Sequence, residues 1–441
     1  MNRLYSWDWV EAQVAATVDV WDGSVSQRMP EARQYGAAEQ QERERAYDEA
    51  LEAVERELKR GRMRGRGSAA RRIETQDRVT AAFARFSAAA LDLNEEAIEL
   101  LTDDFLPVGT QLARWARQFD ASLSMADIIQ AARNAWTACG LQPLLGERVR
   151  LTPAILGYSL LYPYSDNYLD GAEVTAESKL RFSQRFRERL KGEQTLAATE
   201  REAALWALVE LIEGQYPRAV YPDVFDCLLA IHRAQEQSIA QVKSECGEAE
   251  LLRVSCAKGG SSVLADGCLG RGWLNEEESR VSFEWGVVLQ LGDDLQDVRE
   301  DMLRGSVTLF SGPAARGELL DDRVRQLLTF SERVSDRIAR LPSGSATLKG
   351  LLRMSWRSLI LMAVAASHEY FSAEFLEEAE RFSPFRFGFL RERREKLTGR
   401  QGLYAMLFEA FLEPREGEEA VAAGSRSGVA AYALSPEIPP A

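Results

Sequence analysis

Two clusters of acidic side chains carry the chemistry that this sequence offers. The first is Asp166-Asn167-Tyr168-Leu169-Asp170, which closes an aromatic segment, YSLLYPYSDNYLD. On a helix, at about 100° per residue, Asp166 and Asp170 lie about 40° apart with Asn167 beside them. The second runs from Gln290 through Asp293, Asp294, Asp297, Arg299, Glu300 and Asp301 to Arg304. Taking Asp293 as origin on one continuous helix, Asp297, Glu300, Asp301 and Arg304 all fall within about 80° of it. Like charges at this spacing repel, so an unliganded helix gains nothing from them. A solvated acidic face is the plain alternative, but the preceding FEWGVVLQLG is almost continuously apolar and must be buried. Carboxylates carried straight out of a buried helix need cations to be stable. Hard oxygen donors, one or two per ion with water and phosphate completing the shell, suit Mg²⁺ better than Zn²⁺ or Ca²⁺. The expected metal ligands are Asp166, Asp170, Asp293, Asp294, Asp297 and Asp301.

Other residues are candidates for holding an anion or steering a reaction. In CAKGGSSVLAD, adjacent Gly259 and Gly260 interrupt a helical pattern, at a cost of about 1 kcal/mol each relative to alanine. A break in the helix and close helix packing explain them equally well. Lys258, beside the pair, is placed to neutralise an anion; Arg299 and Arg304 flank the carboxylates, Arg304 on their arc. A surface ion pair is the competing reading of Arg299. His232 and Gln235 sit on a mostly apolar helix face. A histidine there is most simply a satisfied core residue; the functional reading has Gln235 or His232 steer water or take a proton from a cation. Tyr158, Tyr164, Tyr168, Phe283 and Trp285 flank the acidic clusters, where aromatic faces can stabilise cations or simply pack.

The elements that must position these residues read as helices throughout. Apolar residues recur at three and four, as in Leu205, Leu208, Leu211 and Ile212, and period-two alternation is scarce. Thr152-Pro153 and Thr175-Ala-Glu-Ser are helix starts, and Gly171, Gly192, Gly214 and Gly247 are placed as stops. The expectation is all-α: about a dozen helices in one large bundle over 73–413. Residues 1–72 are expected to form a helical extension, with a charged helix at 38–60 and a basic linker, KRGRMRGRGSAARR, at 59–72. That linker is either solvated or a contact for acidic lipid headgroups. A tail over 414–441 is expected to be disordered. The 441 residues carry a net charge of −14, against binding nucleic acid through bulk positive charge. No run of about 18 apolar residues could span a membrane. Met1 to Trp9 does not read as a secretory signal, so the expected address is the cytoplasm. Five cysteines without metal-type spacing read as buried thiols. Two histidines are too few for a polyhistidine metal centre.

The order and separation of the acidic motifs bring a family into view. DxxxD (Asp166 to Asp170), then DDxxD (Asp293, Asp294, Asp297), in an all-α chain resembles the class I isoprenoid synthase superfamily. DVREDMLRGSVTLF resembles the corresponding block of squalene and phytoene synthases, and QLGDDLQD the second motif of chain-elongating prenyl diphosphate synthases. The resemblance covers about 150–310. It implies two helices facing each other across an apolar cavity, their aspartates holding Mg²⁺, three ions with bound diphosphate. It implies a prenyl diphosphate substrate whose diphosphate departs to leave a carbocation. Asp166, Asp170, Asp293 and Asp297 then carry catalysis, while Asn167, Gln235, Lys258, Ser261, Arg299 and Arg304 bind substrate. A kinked helix at Gly259-Gly260 would bring backbone carbonyls and small side chains to the cavity wall. The first motif is not the DDxxD with an arginine pair of chain elongators, and the second is not the (N/D)DxxSxxxE triad of most terpene cyclases. The pairing is closest in style to the bacterial class IB terpene synthases. A terpene synthase that ionises one substrate is therefore expected ahead of a condensing prenyltransferase, with a non-catalytic helical protein of the same fold as the further alternative.

Overall fold

The computed structural model describes residues 5–63, 69–170, 174–241 and 247–398, and among them every regular element is helical. In chain order these are α1 (Trp7–Asp22), α2 (Ala37–Met63), α3 (Ala69–Leu91), α4 (Glu95–Glu99), α5 (Leu106–Phe119), α6 (Met125–Leu144), α7 (Pro153–Asp170), α8 (Ala176–Leu190) and α9 (Glu200–Gln215). There follow α10 (Pro222–Gln241), α11 (Glu248–Arg271), α12 (Glu276–Gln296), α13 (Val298–Arg304), α14 (Ser311–Ala315), α15 (Asp321–Arg340), α16 (Ala346–Ala366), α17 (Ala373–Glu380) and α18 (Phe387–Thr398). The expected start signals act as caps. Thr152 Oγ1 accepts from the Ile155 amide, and Thr175 Oγ1 from that of Ser178. Reciprocal capping boxes open α6 at Ser124 and α12 at Asn275, satisfying amides that no helical carbonyl can reach.

Helix α11 is the axis of the bundle. It packs on α12, α10, α6, α7 and α1, and from Gly259 to Gly270 only Ser262 is not fully buried. The Gly259-Gly260 pair, open at the sequence level between a break and a close contact, is a close contact: α11 runs unbroken through both residues. A Cβ on Gly259 would sit 2.4 Å from the Gly286 carbonyl oxygen, and one on Gly286 1.9 Å from that of Gly259. A Cβ on Gly260 would meet the Phe283 ring at 2.4 Å. Glycine is thus required on both helices because the two backbones touch.

The N-terminal segment does not stand apart from this core. Val10, Val14 and Trp21 of α1 are buried against it, and Trp9 meets Phe283 edge-on at 6.1 Å. Just ahead of α1, the buried Tyr5 hydroxyl lies 2.8 Å from Ser279 Oγ. Within the extension expected over 1–72, α1 thus buries its apolar side on the bundle. Helix α2 pairs with α3 and, despite its charge, docks by polar contacts. Arg43 donates to the Ala90 carbonyl (2.8 Å), Gln40 to those of Glu380 and Ser383 (both 2.9 Å), and Glu44 accepts from the Arg386 amide (2.9 Å). In the basic run, Lys59 and Arg60 pair with Glu55 and Glu57 of their own helix. Its remaining side chains lie outside the described residues, as does the tail. No helix of the described residues is long and apolar enough to cross a membrane.

The glycine contact makes the first prediction. Gly286→Ala forces α11 and α12 apart and should destabilise the fold by about 3 kcal/mol or more. Gly214→Ala, on the exposed side of α9 with open space around it, should stabilise by about 0.5–1 kcal/mol. Urea denaturation of the two variants measures both.

Candidate functional site

Helix α12 delivers the second acidic cluster. Its buried stretch, with Phe283, Trp285, Val287, Val288 and Leu291, runs on through Asp294 and Leu295, so the carboxylates emerge from within it. Asp293 accepts from Arg133 Nη2 of α6 at 3.1 Å, both side chains being substantially exposed. Asp294 turns inward, accepting from Ser255 Oγ of α11 (2.9 Å) and from Gln290 Nε2 (2.8 Å). Burial pushes its carboxyl up to about 6, against those two hydrogen bonds and the charge of Lys258. Asp297 closes α12 with φ −94° and ψ 8°, and burial, then Asp293 and Glu300, push its carboxyl up. Asp301 is pushed up to about 7, by burial first and then by Asp294 and Asp297.

Three expectations are corrected here. The single continuous arc is interrupted, because Asp297 leaves helical geometry and α13 starts afresh at Val298. The main-chain bonds Asp297 N to Asp293 O (2.9 Å) and Asp301 N to Asp297 O (2.8 Å) nevertheless bridge the break. Arg299 turns to Glu369, to which its Nε and Nη2 donate, the surface pairing weighed above. Ser261 is fully buried in the core, its hydroxyl unpartnered among the described residues, and no break in α11 opens it to a cavity. Arg304 pairs with Glu300 one turn earlier (2.6 Å) on an exposed face. Lys258 is half-buried on α11, one turn from Ser255.

The first cluster, Asp166, Asn167 and Asp170, occupies the last turns of α7; its side chains lie outside the described residues. The position of those turns follows from contacts along the bundle. Asn134 of α6 donates to Ser159 Oγ of α7 and to Asp266 Oδ1 of α11, both at 3.1 Å. Helix α7 runs back along α6, since Tyr164 near its end donates to Asp120, ahead of the start of α6, at 2.6 Å. Helix α11 runs with α6, since Arg271 at its end donates to the Leu145 carbonyl just past α6 at 2.7 Å. Helix α12 runs against α11, with Asp294 on Ser255 and Phe283 on Gly260. The last turns of α7 and the C-terminal end of α12 therefore lie at one end of the bundle, together with the start of α6, which brings Arg133. Among the described residues, no three carboxylate, imidazole or thiol side chains converge as a ready-made metal cage.

His232 is the satisfied core residue of the simpler reading. It is 3% exposed, its Nε2 lies 3.0 Å from the Ser183 carbonyl oxygen, and Glu236 is 3.4 Å away. With Gln235, Tyr158, Leu161, Ser165 and Phe186 it lines a small cavity between α7, α8 and α10, with room for about one water molecule. Two participants escaped the sequence reading. Arg133 lies 160 residues from Asp293, and nothing local in RNAW marks it. Asp266 is wholly buried with one oxygen unpartnered, and burial holds its carboxyl well above the usual range; its signal was a lone acid in an apolar helix.

No protein family, curated protein or solved structure matches the chain.

The raised carboxyl of Asp301 makes the second prediction. Its unfolded pKa is about 3.9 and its folded one is higher, so its stabilising share is full below pH 4 and is lost as pH rises toward 7. In EDTA, Asp301→Asn should melt with the parent near pH 4 and above it at pH 7.5, as read by thermal melts across that range.

Proposed function

We propose that the chain is a Mg²⁺-dependent enzyme of the class I isoprenoid synthase type, which ionises a prenyl diphosphate and releases diphosphate with a terpene product. The observation that carries this reading is the meeting of two acidic segments, 123 residues apart in sequence, at one end of a helical bundle. Asp293, Asp297 and Asp301 fit Mg²⁺: all three are oxygen donors, and Asp293 helps raise the affinity of Asp297 and Asp301 for positive charge. Mg²⁺ takes one or two carboxylates and completes its shell with water and phosphate. Asp294 fits less well, because both its oxygens already accept hydrogen bonds inside the bundle; its role is to anchor the end of α12 to Ser255.

Bound Mg²⁺ supplies the positive charge that makes diphosphate a competent leaving group. The chain's own cations at this end are Arg133, Lys258 and Arg304, the first and last exposed enough to reach phosphate oxygens. Arg133 lies on Asp293, so diphosphate and Asp293 compete for one guanidinium. The small cavity between α7, α8 and α10 reaches Ser165, next to the first motif, and would have to widen among Leu161, Phe186 and Tyr158 to admit an isoprenoid chain. A single-substrate reaction is preferred over condensation because GAEVT follows Asp170 with no basic residue before Lys179. A second diphosphate would find no arginine pair there.

A non-catalytic helical protein is the second reading. It is favoured by Asp294 and Arg299, which serve as structural partners of Ser255 and Glu369.

Incubation with C10 to C25 prenyl diphosphates and Mg²⁺ separates these readings. The expected result is diphosphate release with a hydrocarbon or alcohol of unchanged carbon number and no need for isopentenyl diphosphate. Asp170→Ala, Asp293→Ala and Asp297→Ala should each lower turnover at least ~100-fold with helical content intact, the scale of one lost electrostatic contact to a developing charge. Consumption of isopentenyl diphosphate, or doubled carbon number, means a condensing enzyme. Full turnover in EDTA ends the metal reading, and inertness toward every substrate supports the non-catalytic one. Mg²⁺ and inorganic diphosphate added together should raise the melting temperature by more than the sum of their separate shifts, because they share ligands; additive shifts count against a common site.

A further inference from the structure

Outside the acidic end, the bundle holds one chemical pairing that the proposed reaction does not use. Cys227 of α10 and Cys268 of α11 face each other across the interface between the two helices, with their sulfurs 3.2 Å apart. Both are fully buried. Among the described residues this is the only contact of sulfur with sulfur: Cys139 donates instead to the Arg150 carbonyl at 3.4 Å, and Cys256 is a free buried thiol. The two helices are packed along much of their length, so the sulfurs are held at this separation by the core itself rather than by a mobile loop. Tyr5, tied to the Leu274 carbonyl and to Ser279, lies close enough to both thiols to feel their charge, which places them beneath the first residues of the chain.

We propose that Cys227 and Cys268 form a reversible dithiol–disulfide site that staples α10 to α11 when the protein meets a hydroperoxide. One thiol, as thiolate, attacks an oxygen of the peroxide, breaking the O–O bond, forming a sulfenic acid and releasing hydroxide, which takes up the thiol proton as water. The second sulfur then displaces hydroxide from the sulfenic sulfur, forming the S–S bond and a second water. Two thiols lose two electrons and two protons, and one hydrogen peroxide is reduced to two waters. A disulfide needs an S–S distance of about 2.05 Å, so the sulfurs must close by about 1.2 Å, a shift within the reach of two side-chain rotations and slight helix adjustment. The cross-link joins positions 41 residues apart, a loop long enough for a sizeable loss of unfolded-chain entropy. It tethers the helix carrying His232 and Gln235 to the one carrying Lys258. Burial pushes the Cys227 thiol up, so thiolate is scarce and the reaction is slow, which calls for excess oxidant and hours of exposure.

The test uses the full chain, reduced, then exposed to hydrogen peroxide and mapped by mass spectrometry without reduction after alkylation of the remaining thiols. The expected result is a peptide linking Cys227 to Cys268, two hydrogens lighter than its parts. The melting temperature should rise by about 5 °C, and dithiothreitol should reverse both. Cys227→Ala and Cys268→Ala should each lose the cross-link and the shift, while Cys139→Ala and Cys256→Ala keep them. Oxidation that spares this pair and consumes Cys139, Cys246 or Cys256 overturns the proposal. So does a pair that stays fully alkylatable after unfolding, or a cross-link that leaves the melting temperature unmoved.

Discussion

The contact on which the rest of the structure depends is the backbone touch between α11 and α12 at Gly259, Gly260 and Gly286. Any side chain on Gly259 or Gly286 would overlap the carbonyl of the other, so the helices approach as closely as main chains can. That approach seats the Phe283 ring on Gly260 and brings Ser255 onto Asp294 two to three turns away. The acidic end of α12 is therefore set by a packing contact about two turns before Asp293. Antiparallel helices joined by a four-residue connection could slide on ordinary side chains; here the glycines admit one register.

The carboxylates at that end are left in a state that packing does not satisfy. Asp294 is hydrogen-bonded, Asp293 has Arg133, and Lys258 adds a favourable charge. Asp297 and Asp301 remain beside like charges, half-buried, with their affinity for protons raised. A fold selected for stability alone would relieve this by amide substitution at no cost in shape, as neutral side chains of the same size fit the same space. The repulsion is the physical reason for reading this end as a cation site. It is also why a charge-bearing ligand, rather than any further side chain, is the natural completion of the structure.

The outer shell is held on a different principle. Helix α2 has a low apolar content, yet it is fastened to residues 380–386 by Gln40 and Glu44 and to Ala90 by Arg43, each buried and each on a main-chain or charged partner. Tyr47 adds edge contacts with Phe86, Phe385 and Phe389. Hydrogen bonds of this kind contribute modestly but are costly to leave unmade, so they specify where the helix sits more than they drive its folding. Helix α1, by contrast, is held by apolar burial directly on the core.

The helical class, the caps at Thr152 and Thr175, the burial of FEWGVVLQLG and both acidic segments were legible in the residues themselves. Each rests on local physics: the 3.6-residue period, a side-chain oxygen near free amides, the cost of wetting an apolar run. The same local reading placed His232 in the core and allowed Gly259-Gly260 to be a packing contact. It could not see the break at Asp297, because helical spacing assumes ideal dihedrals and the departure arises where α12 leaves the bundle. Nor could it assign Arg299 to Glu369, Arg133 to Asp293, or α1 to the core. Partners 70, 160 and more residues away meet only once the helices have chosen their neighbours. Which end of the bundle receives each acidic motif is likewise a matter of helix direction. Connection, packing and glycine contact decide that together, and no window of sequence contains all three.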